Sequence, residues 1–208
     1  PDILAALNAL DYDTENIRVL IHQFVTLIKG GKKVKMSTRT ADFITLEKLT
    51  KEIGPDVVRY FFIMRGMNSH LNFDLDLAAD QSEKNPVYYL QYAHARICNI
   101  IKHGESKGIS YQSNYNAKLL NHPAEIRLLK KLDQFPTIIE NSLQTLEPQL
   151  IANYLHDTAN RFHKFYSECH VITEDIDLSN ARIALVSATQ TVLANGLDLL
   201  GISAPDKM

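Results

Sequence analysis

Apolar and polar positions divide the chain into two zones. In the first, which runs to about Ala79, the segment IRVLIHQFVTLI (17–28) is rich in β-branched residues. It reads as a buried strand, although a short buried helix gives the same pattern. Gly30-Gly31 ends it. Thr45 is placed to cap TLEKLTKEI, in which Leu46, Leu49 and Ile53 share one face, and Gly54 supplies the stop. Pro55 opens the next helix at its tolerated first position. That helix, PDVVRYFFIMR, is apolar almost all round and is expected to be buried. In HLNFDLDLA, residues Leu71, Phe73, Leu75 and Leu77 alternate with polar ones, the period of an extended segment lying on a core.

From about Ala78 the period becomes helical. Pro86 to His103 places Val87, Leu90, His94, Ile97 and Ile101 on one stripe. A loop rich in Ser, Asn and Gly follows, from Gly104 to about His122. Pro123 opens a helix with Ile126, Leu129 and Leu132 inward, and Pro136 restarts one carrying Ile139, Leu143 and Leu146. Pro148 opens another with Ile151, Leu155, Phe162 and Phe165 inward. The last begins near Ser179, carries Ile183, Val186, Leu193, Leu197 and Leu200, and stops at Gly201. The pattern predicts an antiparallel helical bundle.

Charge narrows the function classes. Lys plus Arg total 22 against 24 for Asp plus Glu, a net charge of -2, so overall charge does not draw the protein to nucleic acid and any basic function is local. Hydrophobic residues make up 45% of the chain, enough for folded domains with real cores. No apolar run approaches the length of a membrane helix, and PDILAALNAL lacks the features of a signal peptide. Cys98 and Cys169 stand far apart, which suggests neither a zinc site nor a disulfide framework and fits a reducing cytoplasm. The start at Pro1 reads as a segment of something longer.

One loop concentrates positive charge. KGGKKVKMSTRT (29–40) holds five basic side chains and no acid; taken alone it reads as an ordinary solvated basic turn. On a helical wheel at about 100° per residue, Tyr89, Tyr92, Arg96 and Asn99 fall together, opposite the core stripe. Aromatic rings with an arginine offer what unstacked RNA bases stack upon. A central helix packed on both faces, with its tyrosine hydroxyls bonded internally, gives the same wheel. His94, His156 and His163 read as hydrogen-bonded core histidines rather than ligands, since no third ligand accompanies the latter pair. Asp74 and Asp76 read as the end of a strand or the cap of a helix. No Ser-His-Asp order, G-x-S-x-G or phosphate-cradling lysine loop is present.

KMSTR (35–39) resembles the KMSK signature loop of class I aminoacyl-tRNA synthetases. The surrounding VKMSTRTADFITLEKLTKEIGPDVVRYFFIMR and FDLDLAADQSEKNPVYYLQYAHARI are similar to the arginyl-tRNA synthetase family, and so are ANYLHDTANRFHKFYSECHVI and ARIALVSATQTVLANGLDLLGISAPDKM. The resemblance implies a mainly α chain with two parts. Residues 1–81 would be the C-terminal end of a class I, Rossmann-like catalytic domain with its KMSK-like loop and connecting helices. Residues 82–208 would be a DALR-type helical anticodon-binding domain, with Ala181 and Arg182 in its signature helix.

The resemblance further implies a ligase that activates L-arginine with ATP, accompanied by Mg, and transfers it to tRNA(Arg). Negative charge builds on the departing pyrophosphate, and a cation on a glycine-flanked loop stabilises it most in the transition state. Lys35 is the candidate cation, with Ser37 and the Met36 backbone positioning the phosphates. Thr38 stands where the second lysine of KMSK would be, leaving Lys32, Lys33, Arg39 or a lysine outside the segment to substitute. The family's HIGH-type motif occurs nowhere in these residues, so the segment alone is expected to be inactive. Tyr89, Tyr92, Tyr166 and Met208 are implicated in tRNA contact, joined by Arg96 from the wheel; Tyr166 also reads as core beside Phe165. No metal ligands and no tightly bound cofactor are expected in the segment. A cytoplasmic monomer without membrane contact is expected. The alternatives are a free-standing tRNA-binding module with a degenerate KMSK loop and a helical protein-interaction domain.

Overall fold

The structure, a computed structural model, describes residues 2–34, 44–111 and 114–208. Helix α1 (Asp2–Ala9) contributes no buried residue. A three-stranded sheet follows, in the order β2-β1-β3. Strand β1 (Val25–Lys29) runs antiparallel to β2 (Lys32–Lys33) and parallel to β3 (Leu71–Asp74), with Leu27 opposite Phe73. Gly30 and Gly31 make the β1–β2 turn with φ of 56° and 71°. Positive φ at both central residues is the type I′ form that matches strand twist and favours glycine. The Gly30 N–H donates to the Asp76 carboxylate at 2.5 Å, so that acid anchors the turn at the base of the basic segment.

Local signals placed the short helices. Thr45 caps α2 (Leu46–Ile53) by accepting from Lys48 N, Gly54 ends it at φ 98°, and Pro55 opens α3 (Pro55–Ile63). Leu49 lies in the core, but Leu46 is exposed. Three expectations change in this zone. Only the end of segment 17–28 is strand, and Ile17, Val19, Leu20, Ile21 and Phe24 ahead of it are exposed. Helix α3 buries Val58, Tyr60 and Phe61 but leaves Phe62 exposed. The alternation of 71–77 holds for buried Leu71 and Phe73, and then the chain turns into α4 (Leu75–Ala79). The cause is Asp74, whose carboxylate accepts from the N–H groups of Asp76 and Leu77 at 3.0 and 3.1 Å. A helix N-terminus satisfied in this way outcompetes continued extension.

The rest is a helical bundle of α5 (Pro86–Ser106), α6 (Pro123–Asp133), α7 (Phe135–Thr145), α8 (Gln149–Glu168) and α9 (Ile176–Leu199). Asn85 joins the zones: it caps α5 through Val87 N and donates to the carbonyls of Ala78 and Asp80. Leu90 and Ile97 of α5, Leu155, Phe162 and Phe165 of α8, and Ile183, Leu193 and Leu197 of α9 form the fully buried centre. A Cβ at Gly196 would strike Leu155, so glycine sets the close approach of α8 and α9. Two predicted stripes were out of phase. In α6, Ile126 and Leu129 are exposed while Ala124, Glu125 and Leu128 face inward; in α7, Leu143 is exposed. Helix α9 starts before Ser179, capped by Asp175, which accepts from Leu178 N.

Candidate nucleic-acid interface

Helix α5 presents Tyr92, Arg96, Asn99 and His103 along one side, at spacings of three or four residues that align them on a single strip. Facing this strip are Tyr166 and the residues that end α8, Cys169 and His170, and then Ile172. Met208 closes the arrangement from the chain's last segment. Together they line a cleft of about 650 Å³. The Arg96 guanidinium lies over two rings, 5.6 Å from the centroid of Tyr92 and 4.7 Å from that of Tyr166. The attraction of a cation for the ring faces holds arginine and tyrosines in one orientation. Tyr166 is 37% exposed although its neighbour Phe165 is fully buried, and its ring lies 6.2 Å from Phe162, nearly parallel. Its face is therefore mounted on the core without being part of it.

Tyr92, Arg96, Tyr166 and Met208 thus come together, while Tyr89 does not line the cleft. Its hydroxyl donates to Asn160 Oδ1 at 2.6 Å, and its ring sits against His156 and His163 at 5.2 and 5.1 Å. Burial, reinforced by Glu83, raises its pKa. The histidines also differ from expectation. His94 is the buried, hydrogen-bonded residue anticipated, bonding the Pro205 carbonyl through Nδ1 at 3.0 Å. His156 is exposed. His163 is half-buried, its Nε2 has no partner among the described residues, and burial, together with the nearby Arg96, lowers its pKa against a weaker opposing pull from Glu83.

One wall of the cleft depends on an ion pair that hydropathy did not reveal. Arg182 Nε donates to Glu125 Oε1 at 2.7 Å, and the same guanidinium donates to the His170 carbonyl at 2.6 Å. The second Glu125 oxygen accepts from His122 N at 2.9 Å, closing a capping box on α6. The pair therefore ties α9 to α6 and to a residue of the cleft. Segment 200–208 is also tied to the bundle. Cys98 donates to Asp206 Oδ1 at 3.4 Å and accepts from Gln190 at 3.1 Å. Ligand atoms of His94, Cys98 and Asp206 lie within 4.8 Å of one another. Burial and the Asp206 carboxylate raise the Cys98 thiol, which favours the S–H form that donates here. Sequence spacing gave no sign of this cluster, since Asp206 is 108 positions from Cys98.

The KMSK-like residues Lys35, Met36 and Ser37 lie outside the described residues. Their neighbours Lys29, Lys32 and Lys33 are exposed on the hairpin. Among the described residues no helix is long and apolar enough to cross a membrane.

Comparison with known proteins adds to this geometry. Residues 90–208 match the family described as the DALR anticodon binding domain. The arginine-tRNA ligase of Salinibacter ruber is 49% identical over 208 residues, all of this chain and 37% of that protein. That of Chlorobaculum tepidum is 49% identical over 211 residues, again all of this chain and 38% of the relative. Among solved structures, a Campylobacter jejuni protein described as an arginyl-tRNA synthetase superposes with a TM-score of 0.80 at 28% identity, over 98% of this chain and 44% of that one. Thermus thermophilus arginyl-tRNA synthetase shares the fold, with a TM-score of 0.67 at 23% identity over 88% of this chain and 34% of its own. The chain spans a little over a third of the length of these curated relatives. Matched over more than half its length, and similar throughout to a C-terminal portion of arginyl-tRNA synthetases, the chain belongs to the DALR anticodon-binding family.

Proposed function

We propose that the chain is the C-terminal portion of an arginine-tRNA ligase and that it recognises the anticodon loop of tRNA(Arg) in the cleft between α5 and the end of α8. The observation that carries this reading is the convergence of Tyr92, Arg96, Tyr166 and Met208 on one cleft, with a guanidinium held over two tyrosine rings. Anticodon bases are single-stranded, and stacking on rings with help from arginine is how such bases are held. Identity of 49% along the whole chain to curated ligases favours this over a free-standing module or a protein-interaction domain. In the longer protein, Lys35, Ser37 and the Met36 backbone would bear on the phosphates of ATP, which carries Mg, during activation of L-arginine. The setting proposed is a cytoplasmic monomer.

The test is binding of the chain to the anticodon stem-loop of an arginine tRNA, measured beside a stem-loop with an unrelated anticodon. One stacked base contributes about 1–3 kcal/mol, and each 1.4 kcal/mol is about tenfold. The cognate loop is therefore expected to bind at least about tenfold tighter. Equal affinity for both loops, or for neither, would refute the proposal.

A further inference from the structure

Segment 200–208 reaches the cleft only after passing over α3, which lies outside the bundle. Arg59 Nε donates to the Leu200 carbonyl at 2.5 Å. Gly201 follows with φ of 65°, and a Cβ there would come within 2.7 Å of the same Arg59 nitrogen. The left-handed backbone favours glycine here, and a Cβ would have to displace the arginine laid across it. Asp56 Oδ2 then accepts from the Ser203 hydroxyl, from Ser203 N at 3.2 Å and from Gln91 Nε2 at 2.9 Å. Gln91 also donates to the Ser203 carbonyl at 3.0 Å, locking Ser203 between α3 and α5. Ile202 is buried between these two contacts. Beyond them the segment bonds His94 through Pro205 and Cys98 through Asp206, and it ends with Met208 in the cleft.

We propose that Asp56 and Arg59 are positioning residues of the cleft: they fix segment 200–208 as a strap that delivers Met208 against Tyr92, Arg96 and Tyr166. The inference rests on the anticodon reading for its ligand but not for its geometry. An exposed methionine side chain has rotamer freedom that must be lost when RNA binds. A strap held at Leu200 and Ser203 removes part of that loss in advance. By linkage, RNA in the cleft tightens the strap's hold on α3 to the same degree.

The experiment follows the ε-methyl signal of Met208 by NMR in methyl-labelled chain, together with affinity for the arginine anticodon stem-loop. Without RNA, Asp56→Ala is expected to move the Met208 methyl signal toward its position in a flexible chain. Asp56→Asn, which keeps an acceptor oxygen, restores most of the native position. With RNA, Asp56→Ala is expected to weaken binding roughly fivefold or more, the lower end of ordinary coupling between sites. Deleting Met208 gives a similar loss, and the two changes combined give no further loss, because both act through one contact. A Met208 signal unmoved by Asp56→Ala, or losses that add, overturns the inference. If the unaltered chain binds no stem-loop, the anticodon reading fails, and the methyl signal alone still decides whether α3 positions the strap.

Discussion

Replacing Arg182 by alanine should show how much of the molecule hangs on one ion pair. Glu125 is completely buried, and the Arg182 side chain is 12% exposed. With the guanidinium gone, the carboxylate keeps, among the described residues, the His122 N–H alone, and the His170 carbonyl loses its Arg182 donor. Breaking a buried pair from one side costs about 3–5 kcal/mol, a large part of the ~5–15 kcal/mol that ordinarily holds a domain folded. At roughly 2–4 °C per kcal/mol for a chain of this size, the melting temperature should fall by about 6–20 °C. Urea unfolding followed by circular dichroism measures the free energy directly. The informative companion is Arg182→Met with Glu125→Leu. Removing both charges and filling their volume is often neutral or stabilising, so stability should return to within about 1–2 kcal/mol, less the unmade His170 bond. Stem-loop binding should stay weakened in the double variant, because the His170 carbonyl on the cleft wall then lacks its Arg182 donor. A cost below about 1 kcal/mol for Arg182→Ala, or a double variant as unstable as the single one, would refute the reasoning.

The remaining expectations concern the two tyrosines, the lone histidine and salt. Tyr92→Ala should cost about 1–3 kcal/mol of stem-loop binding, whereas Tyr89→Phe, which loses only the Asn160 bond beside the cleft, should cost about 0.5–1 kcal/mol of stability and leave binding nearly unchanged. His163 has a lowered folded-state pKa, so the unfolded chain takes up a proton first as pH falls. The stability it contributes is complete above about pH 6.5, the unfolded value, and is lost below that until the folded pKa is passed; His163→Gln should flatten that part of the pH-stability profile. Binding should weaken with salt at a slope of only about −0.7 per phosphate contacted, and a slope steeper than about −4 would mark extensive phosphate binding instead of stacking.

What the sequence made legible was local in cause. Thr45, Gly54, Pro55, Pro86 and Pro123 mark helix ends through their own side chains or φ preferences, and each stands at or beside the expected boundary. Tyr92 and Arg96 were placed on one face because a helix repeats every 3.6 residues. What escaped was set at a distance. Hydropathy turned Ile126 and Leu129 inward and passed over Glu125, because the arginine that makes a buried glutamate tolerable lies 57 positions away. Apolar content made 17–24 look buried, yet burial requires a covering element, which composition does not supply. In the cleft, the α5 strip could be read from spacing, but the contact of Arg96 with Tyr166 needs two helices to meet. The grip of Asp56 on Ser203 spans 147 positions and has no local signature.

The near-neutral charge and the cleft's chemistry explain one another. A strongly basic protein gains affinity from any phosphate backbone and must find its specificity elsewhere. Here the net charge is -2, and Arg96 in the cleft already leans on two rings instead of standing free in solvent. A guanidinium so placed is a planar extension of an aromatic surface as much as a charge. It is held in place before a ligand arrives, so less rotamer entropy remains to be lost on binding. Such a surface rewards a base that is already unstacked and offers little to a paired helix, whose bases expose only their edges. The ion pair of Arg182 and Glu125, the ring stack of Phe162 and Tyr166, and the anchored strap that carries Met208 each fix one part of the cleft. On the proposed anticodon reading, discrimination for unpaired bases would follow from rigidity and shape, and weak long-range attraction would help it by withholding affinity from every other RNA.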